Sequence, residues 1–379
     1  MERIVLAYSG GFGTSVAIPW LVETLGAEVI ALTLDMGQGC DLGRIRDRAL
    51  AAGALRAHVL DVRHEFATEY ILPALQAGAL YEDRDPLATA LGRPLIARKL
   101  IEIAALEQAG AVAHGSRANG THQVSLGVSS RALNPKIRVI APARIWGMTR
   151  PDEIAYARAR GIAVPAEVER SYGIDENLWG RSTAHGVCED PWVEPPEEIY
   201  ALTKSPSECA DLPAYVEIEF DRGVPTMVNG IPMPLTELIT SLATIAGAHG
   251  VGRIDVVENR LEGLTAREIH EAPAAVLLHA AHRALEDLVI APDLQRLKRQ
   301  LALTYADVVY NGLWFSPTRE AIDAFVAKVQ ERVSGTIRAK LWKADCRIVG
   351  RRSAFTLHEH SPVTDVAGDG VPDRAAVNR

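Results

Sequence analysis

The sequence predicts an α/β protein, with a doubly wound parallel sheet in its N-terminal part and an α+β domain after it. Three observations predict this. Up to about Val164, short apolar runs alternate with helix-length segments, and strands separated by helices of that length pair in parallel. The first run passes directly into a Ser9-Gly10-Gly11 turn and a hydroxyl-bearing helix start. Near Pro165 the alternation gives way to a polar, turn-rich stretch from Tyr172 to Glu198, with Pro195-Pro196, and then to strands and helices in mixed order.

In chain order, the strands of the first part are read at Ile4 to Leu6, Val29 to Leu34, Ala57 to Leu60, Val112 to His114 and Val139 to Ala141. Ligands of a doubly wound sheet sit outside the carboxyl ends of its strands. Chemistry is therefore expected in the loops Ser9 to Ser15, Asp35 to Cys40, Gly115 to Gln123 and Pro142 to Trp146. Pro19 falls inside the first helix and removes the hydrogen bond to the Ser15 carbonyl, which predicts a kink or a late helix start. In the second part, strands are read at Tyr215 to Phe220, Thr226 to Val228, Ile337 to Leu341 and Arg347 to Val349. Between them, Leu277, Ala281, Ala284 and Leu288 recur at helical spacing as a core-facing stripe. The domains are read as residues 1–165, 166–355 and a tail, 356–379. From Pro362 the tail has no periodicity and is expected to be loosely ordered unless a partner subunit holds it.

A chain of 379 residues has length for about two domains and ample material for a core. With 48% hydrophobic and 23% charged residues it reads as a soluble enzyme, and no apolar run approaches the ~18 to 20 residues that span a bilayer. Met1 leads straight into a strand-like run without a signal-peptide pattern, so a cytoplasmic location is expected. Cys40, Cys188, Cys209 and Cys346 form no C-x-x-C pair and have no histidines at metal spacing, so they are read as reduced thiols. A net charge of −8 argues against a general nucleic-acid surface, and neither nucleic acid nor membrane is expected as a partner.

The stretch Ala7-Tyr8-Ser9-Gly10-Gly11-Phe12-Gly13-Thr14-Ser15 joins the first strand to the first helix. Unpaired N–H groups and the positive end of a helix dipole converge in such a turn, which makes it a phosphate cradle. Its spacing is neither G-x-x-x-x-G-K-[ST] nor G-x-G-x-x-G, and no lysine follows the glycines. It resembles the Ser-Gly-Gly-x-Asp-Ser/Thr-Ser loop of the ATP pyrophosphatases, which split ATP into AMP and pyrophosphate. An ordinary strand-to-helix turn is the plainer alternative.

Further blocks carry a more specific resemblance. They are Gly37-Gln38-Gly39, Arg93-Pro94-Leu95-Ile96-Ala97, Ala113-His114-Gly115, Asp175-Glu176-Asn177-Leu178, Glu189-Asp190-Pro191 and the run from Gly252 to Arg260. In this order they resemble the argininosuccinate synthase family over nearly the full length. The resemblance implies an N-terminal ATP pyrophosphatase domain, a synthetase domain and a C-terminal arm used in forming tetramers. It also implies the family's reaction: a ureido oxygen attacks the α-phosphorus of ATP, pyrophosphate leaves, and an amine displaces AMP, with magnesium taking part of the charge.

By this resemblance ATP is contacted by Ala7, Tyr8, Ser9, Gly10, Gly11, Thr14, Ser15 and Gly115, Tyr8 and Gly115 bordering the adenosine. The loop aspartate of the family pattern is Gly13 here, which puts magnesium handling in doubt; Asp35 is a candidate replacement, and a weakened metal site is the alternative. Where the family holds citrulline, this chain has Asp85, Ala90, Thr121, Ser125, Gly173 and His270, with only Ser182 and Glu258 matching. The family's arginine has become Ser125, whose hydroxyl cannot supply a bidentate grip on a carboxylate. In the aspartate pocket a threonine has become Arg117, expected to bind an anionic group. An aspartate has become His122, expected to face the incoming amine as a general base. Each has a plainer reading: Arg117 a solvated cation, His122 an ordinary loop histidine, His270 a surface group near a helix, and Asp85 part of the solvated charged turn Glu82-Asp83-Arg84-Asp85.

Together these residues lead to an ATP-dependent, AMP- and pyrophosphate-forming C–N ligase acting on an acceptor and an amine other than citrulline and aspartate. Two alternatives stay open: an argininosuccinate synthase acting on those two, and an inactive nucleotide-binding homologue.

Overall fold

The computed structural model describes residues 2–116, 121–164, 173–259 and 265–358, and at 121–124 and 187 the backbone alone. The first part holds five parallel strands, β1 (Arg3–Ala7), β2 (Glu28–Asp35), β3 (Arg56–Asp61), β4 (Ala111–His114) and β5 (Arg138–Ile140), in the order β3-β2-β1-β4-β5. Alternation along β1 sends Ile4 and Leu6 to one face, with Ile18 and Leu21 of α1 (Phe12–Leu25). Val5 points to the other, where Phe66, Tyr70, Leu91 and Leu95 continue into the core of the second part. Burial of both faces explains why these strands read as unbroken apolar runs. The remaining helices here are α2 (Leu42–Ala51), α3 (Arg63–Phe66), α4 (Leu72–Ala77), α5 (Ala88–Leu106), α6 (Thr121–Leu133), α7 (Pro142–Ile145) and α8 (Arg150–Ala159). A π-helical turn, Ala67–Ile71, joins α3 to α4.

The strand order reverses at β1, which lies between β2 and β4. Ala7 pairs with Leu32 on one side and with His114 on the other. The loop after β1 and the loop after β4 therefore open at the same level, at the switch point where such sheets bind ligands.

The second part begins with the hairpin β6 (Gly173–Asn177) and β7 (Gly180–Ala184), then β8 (Ala214–Asp221), β9 (Val224–Val228), β10 (Ile231–Pro232) and α9 (Leu235–Ala248). It continues with β11 (Arg253–Asn259), β12 (Thr265–Glu271), α10 (Pro273–Val289), α11 (Pro292–Tyr310), α12 (Pro317–Gln330), β13 (Gly335–Trp342) and β14 (Asp345–Arg352). Two antiparallel sheets result, β10-β9-β8-β13-β14 and β11-β12-β7-β6. In α10 the expected stripe is buried at Leu277, Ala281 and Ala284 and partly buried at Leu288.

Three expectations need correction. The helix α1 does not start late: Ser15 N–H already donates to Gly11 carbonyl at 3.0 Å, and the helix runs through Pro19. Residues 142–145 form a helical turn rather than a loop, begun by Pro142 at a position that needs no N–H donor. The polar stretch after residue 172 contains the β6–β7 hairpin, whose charged side chains are paired: Arg93 with Asp175, and Arg181 with Glu176 at 2.8 Å. The expected boundary at 165 and the tail from 362 lie outside the described residues. All four cysteines are free, and no described helix is long and apolar enough to cross a membrane.

Candidate functional site

The loop after β1 is shaped by its glycines. Gly10 has φ +75°, and a Cβ there would lie 2.8 Å from Cγ1 of Ile45, so the position admits no side chain without strain. This packing seats the loop on α2, whose Arg48 donates from Nη1 to the Gly10 carbonyl at 2.5 Å. Gly11 is the N-cap residue of α1 and offers no side-chain cap, which leaves first-turn N–H groups for a ligand. Hydroxyls hold the turn: Thr14 and Ser15 donate to the Gly11 carbonyl at 3.1 and 3.0 Å, and Ser9 Oγ accepts from Gly11 N–H at 3.3 Å. Tyr8 is buried and its hydroxyl meets Ser15 Oγ at 2.9 Å; burial raises its pKa. Gly115 lies against the same turn, since a Cβ there would be 2.5 Å from Cγ2 of Thr14. Beside it His114 is kept neutral, burial pulling its pKa down to about 4.

This arrangement fits an adenine nucleotide's phosphates: a glycine cradle, uncapped N–H groups and a nearby guanidinium. It fits a protein-held magnesium ion less well. The loop carries no carboxylate, and Asp35 accepts from Gly37 N–H at 2.9 Å and pairs with Arg63 at 3.4 Å. Asp35 instead lines a cleft of about 880 Å³ between the ends of β2 and β3 and α9.

A second constellation lies where the turn before α5 meets β11, β12 and the end of α11. It encloses a cavity with about 20 Å³ of free space, the room of one water molecule. Asp85, Ser125, Glu258 and His270 line it together with Ala90, Thr89, Glu268 and Tyr310. His270 Nε2 is 3.1 Å from Glu258 Oε1, and Nδ1 is 3.8 Å from Asp85 Oδ1. Burial alone would lower the pKa of His270, but the carboxylates of Asp85 and Glu258 outweigh it and hold it at about 9. The ring is thus an imidazolium between two carboxylates. Tyr310 donates to Glu258 at 2.9 Å and stacks on Tyr81 with centroids 3.7 Å apart. Asp85 Oδ1 accepts from Leu87 N–H at 2.8 Å, and this holds Leu87 at φ +64° at the N-cap of α5.

The plainer readings of two residues are corrected here. Asp85 is 5% exposed and not in a solvated turn, and His270 is 4% exposed in the central strand β12 and not a surface group. Ser182, paired with His270 across β7 and β12, stands behind the wall with Oγ 3.2 Å from Thr89 Oγ1. Thr121 and His122 open α6, with side chains outside the described residues; Arg117 lies wholly outside them. Gly173 begins β6 on the exposed side. Tyr310 and Glu268 were not singled out from the sequence, where nothing distinguishes a helix-end tyrosine or a strand glutamate from ordinary surface residues.

A doubly wound parallel sheet with a glycine-rich turn at its switch point, followed by an α+β part that walls a polar cavity, is the architecture of the HUP-domain class. Residues 3–163 match the arginosuccinate synthase N-terminal HUP domain, and residues 172–376 match the arginosuccinate synthase C-terminal domain. The chain is 50% identical over 375 residues to an argininosuccinate synthase of Geobacillus sp. (strain WCH70), covering 99% of this chain and 93% of the relative. It is 47% identical over 376 residues to one of Bacillus thuringiensis (strain Al Hakam), covering 99% and 94%. A solved NAD+ synthetase from Burkholderia pseudomallei is 23% identical, covering 44% of this chain and 69% of its own, with a TM-score of 0.29, too low to establish common architecture. The chain belongs to the argininosuccinate synthase family, and with it to the ATP-dependent ligases that form carbon–nitrogen bonds.

Proposed function

We propose that the chain adenylates a carbonyl or ureido acceptor with ATP, releases pyrophosphate, and lets an amine displace AMP to form a C–N bond. The observation that carries this reading is the uncapped start of α1 behind the Gly10 turn, which offers N–H groups where a leaving pyrophosphate gathers charge. In this reading Ser9, Gly10, Gly11, Thr14 and Ser15 hold the phosphates, and Tyr8 and Gly115 border the adenosine. Arg117 binds an anionic group, His122 faces the amine, and Ser182 and Glu258 anchor the acceptor. Magnesium arrives with the nucleotide, and the chain works in the cytoplasm as a homotetramer, as the family likeness implies.

Two observations bear on the substrates. Relatives at 47–50% identity named as argininosuccinate synthases favour citrulline and aspartate, and this has the broader support. The cavity, with Ser125 and Asp85 in its wall, favours another acceptor. Incubation with citrulline, aspartate and magnesium ATP separates them: argininosuccinate at ordinary substrate concentrations supports the first, and ATP-dependent pyrophosphate release only with other acceptors supports the second. No pyrophosphate from ATP with any acceptor would return the chain to a nucleotide-binding homologue without turnover.

A further inference from the structure

Arg93 stands on α5 between the cavity and the phosphate turn. It follows Thr89 and Ala90, which line the cavity, by four and three positions, so it continues the same helix face one turn on. Behind that face Thr89 Oγ1 is 3.2 Å from Ser182 Oγ, and Ser182 pairs across β6 and β7 with Asp175, whose Oδ2 accepts from Arg93 Nη2. On the other side lies His114 at the end of β4. Burial pulls the pKa of His114 down to about 4, and the positive charges of Arg93 and Arg144 add to that shift. The residue after His114 is Gly115, which packs on Thr14 of the phosphate turn.

The guanidinium is held without being used up. It carries five N–H donors, and among the described residues its one hydrogen bond runs from Nη2 to Asp175. Nε is buried and has no acceptor among them, in a side chain 14% exposed. A buried donor without a partner costs free energy that an incoming ligand oxygen relieves. The phosphate turn lacks a cation of its own for this purpose. No lysine follows its glycines, and Arg48 already donates to the Gly10 carbonyl.

We propose that Arg93 is a catalytic residue of the adenylation step, donating its unused N–H groups to a non-bridging oxygen of the α-phosphate. The proposal rests on the ligase reading and adds a residue to it. In that step the acceptor's carbonyl oxygen forms a bond to the α-phosphorus. The bond from phosphorus to the pyrophosphate oxygen breaks, and its electron pair leaves with pyrophosphate. Arg93 moves no proton; its fixed charge meets the negative charge on the α-phosphate oxygens as the transfer proceeds. A planar guanidinium suits this better than an ammonium, because its fork holds Asp175 and a phosphate oxygen at once. Asp175 is a positioning residue, fixing the orientation of a long side chain before the nucleotide arrives.

The test reads binding and turnover separately. Calorimetric titration of the full chain with AMP and with adenosine isolates the α-phosphate. Arg93→Gln should weaken AMP about tenfold or more and leave adenosine within about threefold, the scale of one charge-assisted hydrogen bond. Arg93→Lys keeps the charge and a partner for Asp175 but loses the planar fork, and should also weaken AMP more than adenosine. If Arg93→Gln does not fold, Arg93→Lys decides alone. Equal weakening of AMP and adenosine makes Arg93 a strut and overturns the proposal, as does an unchanged ratio in a folded variant or equal affinity for the two in the unaltered chain. Exchange of labelled pyrophosphate into ATP in the presence of an acceptor, citrulline first, should fall roughly 100-fold in kcat in Arg93→Gln, a larger loss than in the KM for ATP. The expected AMP ratio in a chain without exchange defeats the ligase reading alone. Exchange by Arg93→Gln at the normal rate defeats this proposal and keeps the ligase.

Discussion

Replacing His270 by glutamine removes a proton that the fold holds tightly. In an unfolded chain a histidine titrates near pH 6.5, whereas in this cavity Asp85 and Glu258 hold His270 at about 9. A pKa raised by folding stabilises the folded state fully below the unfolded value, and the gain is lost as pH rises through the folded value. The gap corresponds to on the order of 3 kcal/mol, present at pH 6 and gone by pH 10. The transition belongs to the cluster as a unit, because Asp85, Glu258 and Glu268 all face the ring. Urea unfolding followed by fluorescence, with Trp179 1% exposed as a buried reporter, should show the unaltered chain losing stability between about pH 6.5 and 9. His270→Gln should start less stable at pH 6 and lack that decline, so that the two curves converge at alkaline pH. A separation that stays constant from pH 6 to 10 would refute an imidazolium between two carboxylates.

Three other substitutions probe the nucleotide loop and the amine side. Gly11→Asp puts a carboxylate at the N-cap of α1, where it would take the N–H groups meant for phosphate, and titration with ATP should show binding abolished; unchanged affinity would remove the loop from nucleotide binding. Gly13→Asp meets open space, since a Cβ there has nothing within 4 Å; it should lower the magnesium concentration needed for half-maximal pyrophosphate release, and an unaltered magnesium curve would mean that no carboxylate is needed there. His122→Asn should lower turnover by roughly two orders of magnitude and flatten the acid limb of the pH profile, as expected for a positioned base. A near-normal rate with an unchanged profile would make it an ordinary histidine.

The parts of this molecule that can be read from its residues are those decided locally. Ile4 to Leu6 and Val29 to Leu34 are apolar runs of strand length, and the Ser9-Gly10-Gly11 turn announces itself because only glycine tolerates φ +75° against Ile45. The β6–β7 hairpin is hidden because Asp175, Glu176 and Arg181 give it no apolar alternation; it is a strand pair through β12 and through ions on α5 and within the hairpin. The cavity was visible only by family resemblance. Asp85 stands in a run of charges and His270 in a polar segment, and each becomes buried through contacts between chain regions that no local pattern reports. Tyr310 gave no signal, since its place in the wall depends on stacking with Tyr81.

Asp85 answers to two demands that evolution cannot separate. Its Oδ1 fixes the left-handed Leu87 from which α5 departs, and the same side chain lines the cavity. A mutation selected there for a new substrate must also rebuild the start of a helix, whereas His270 sits in the strand ladder of β12, whose backbone pairs do not depend on its ring. Changes of specificity in descendants of this chain should therefore accumulate at position 270 first, with position 85 lagging until some other acceptor secures the turn.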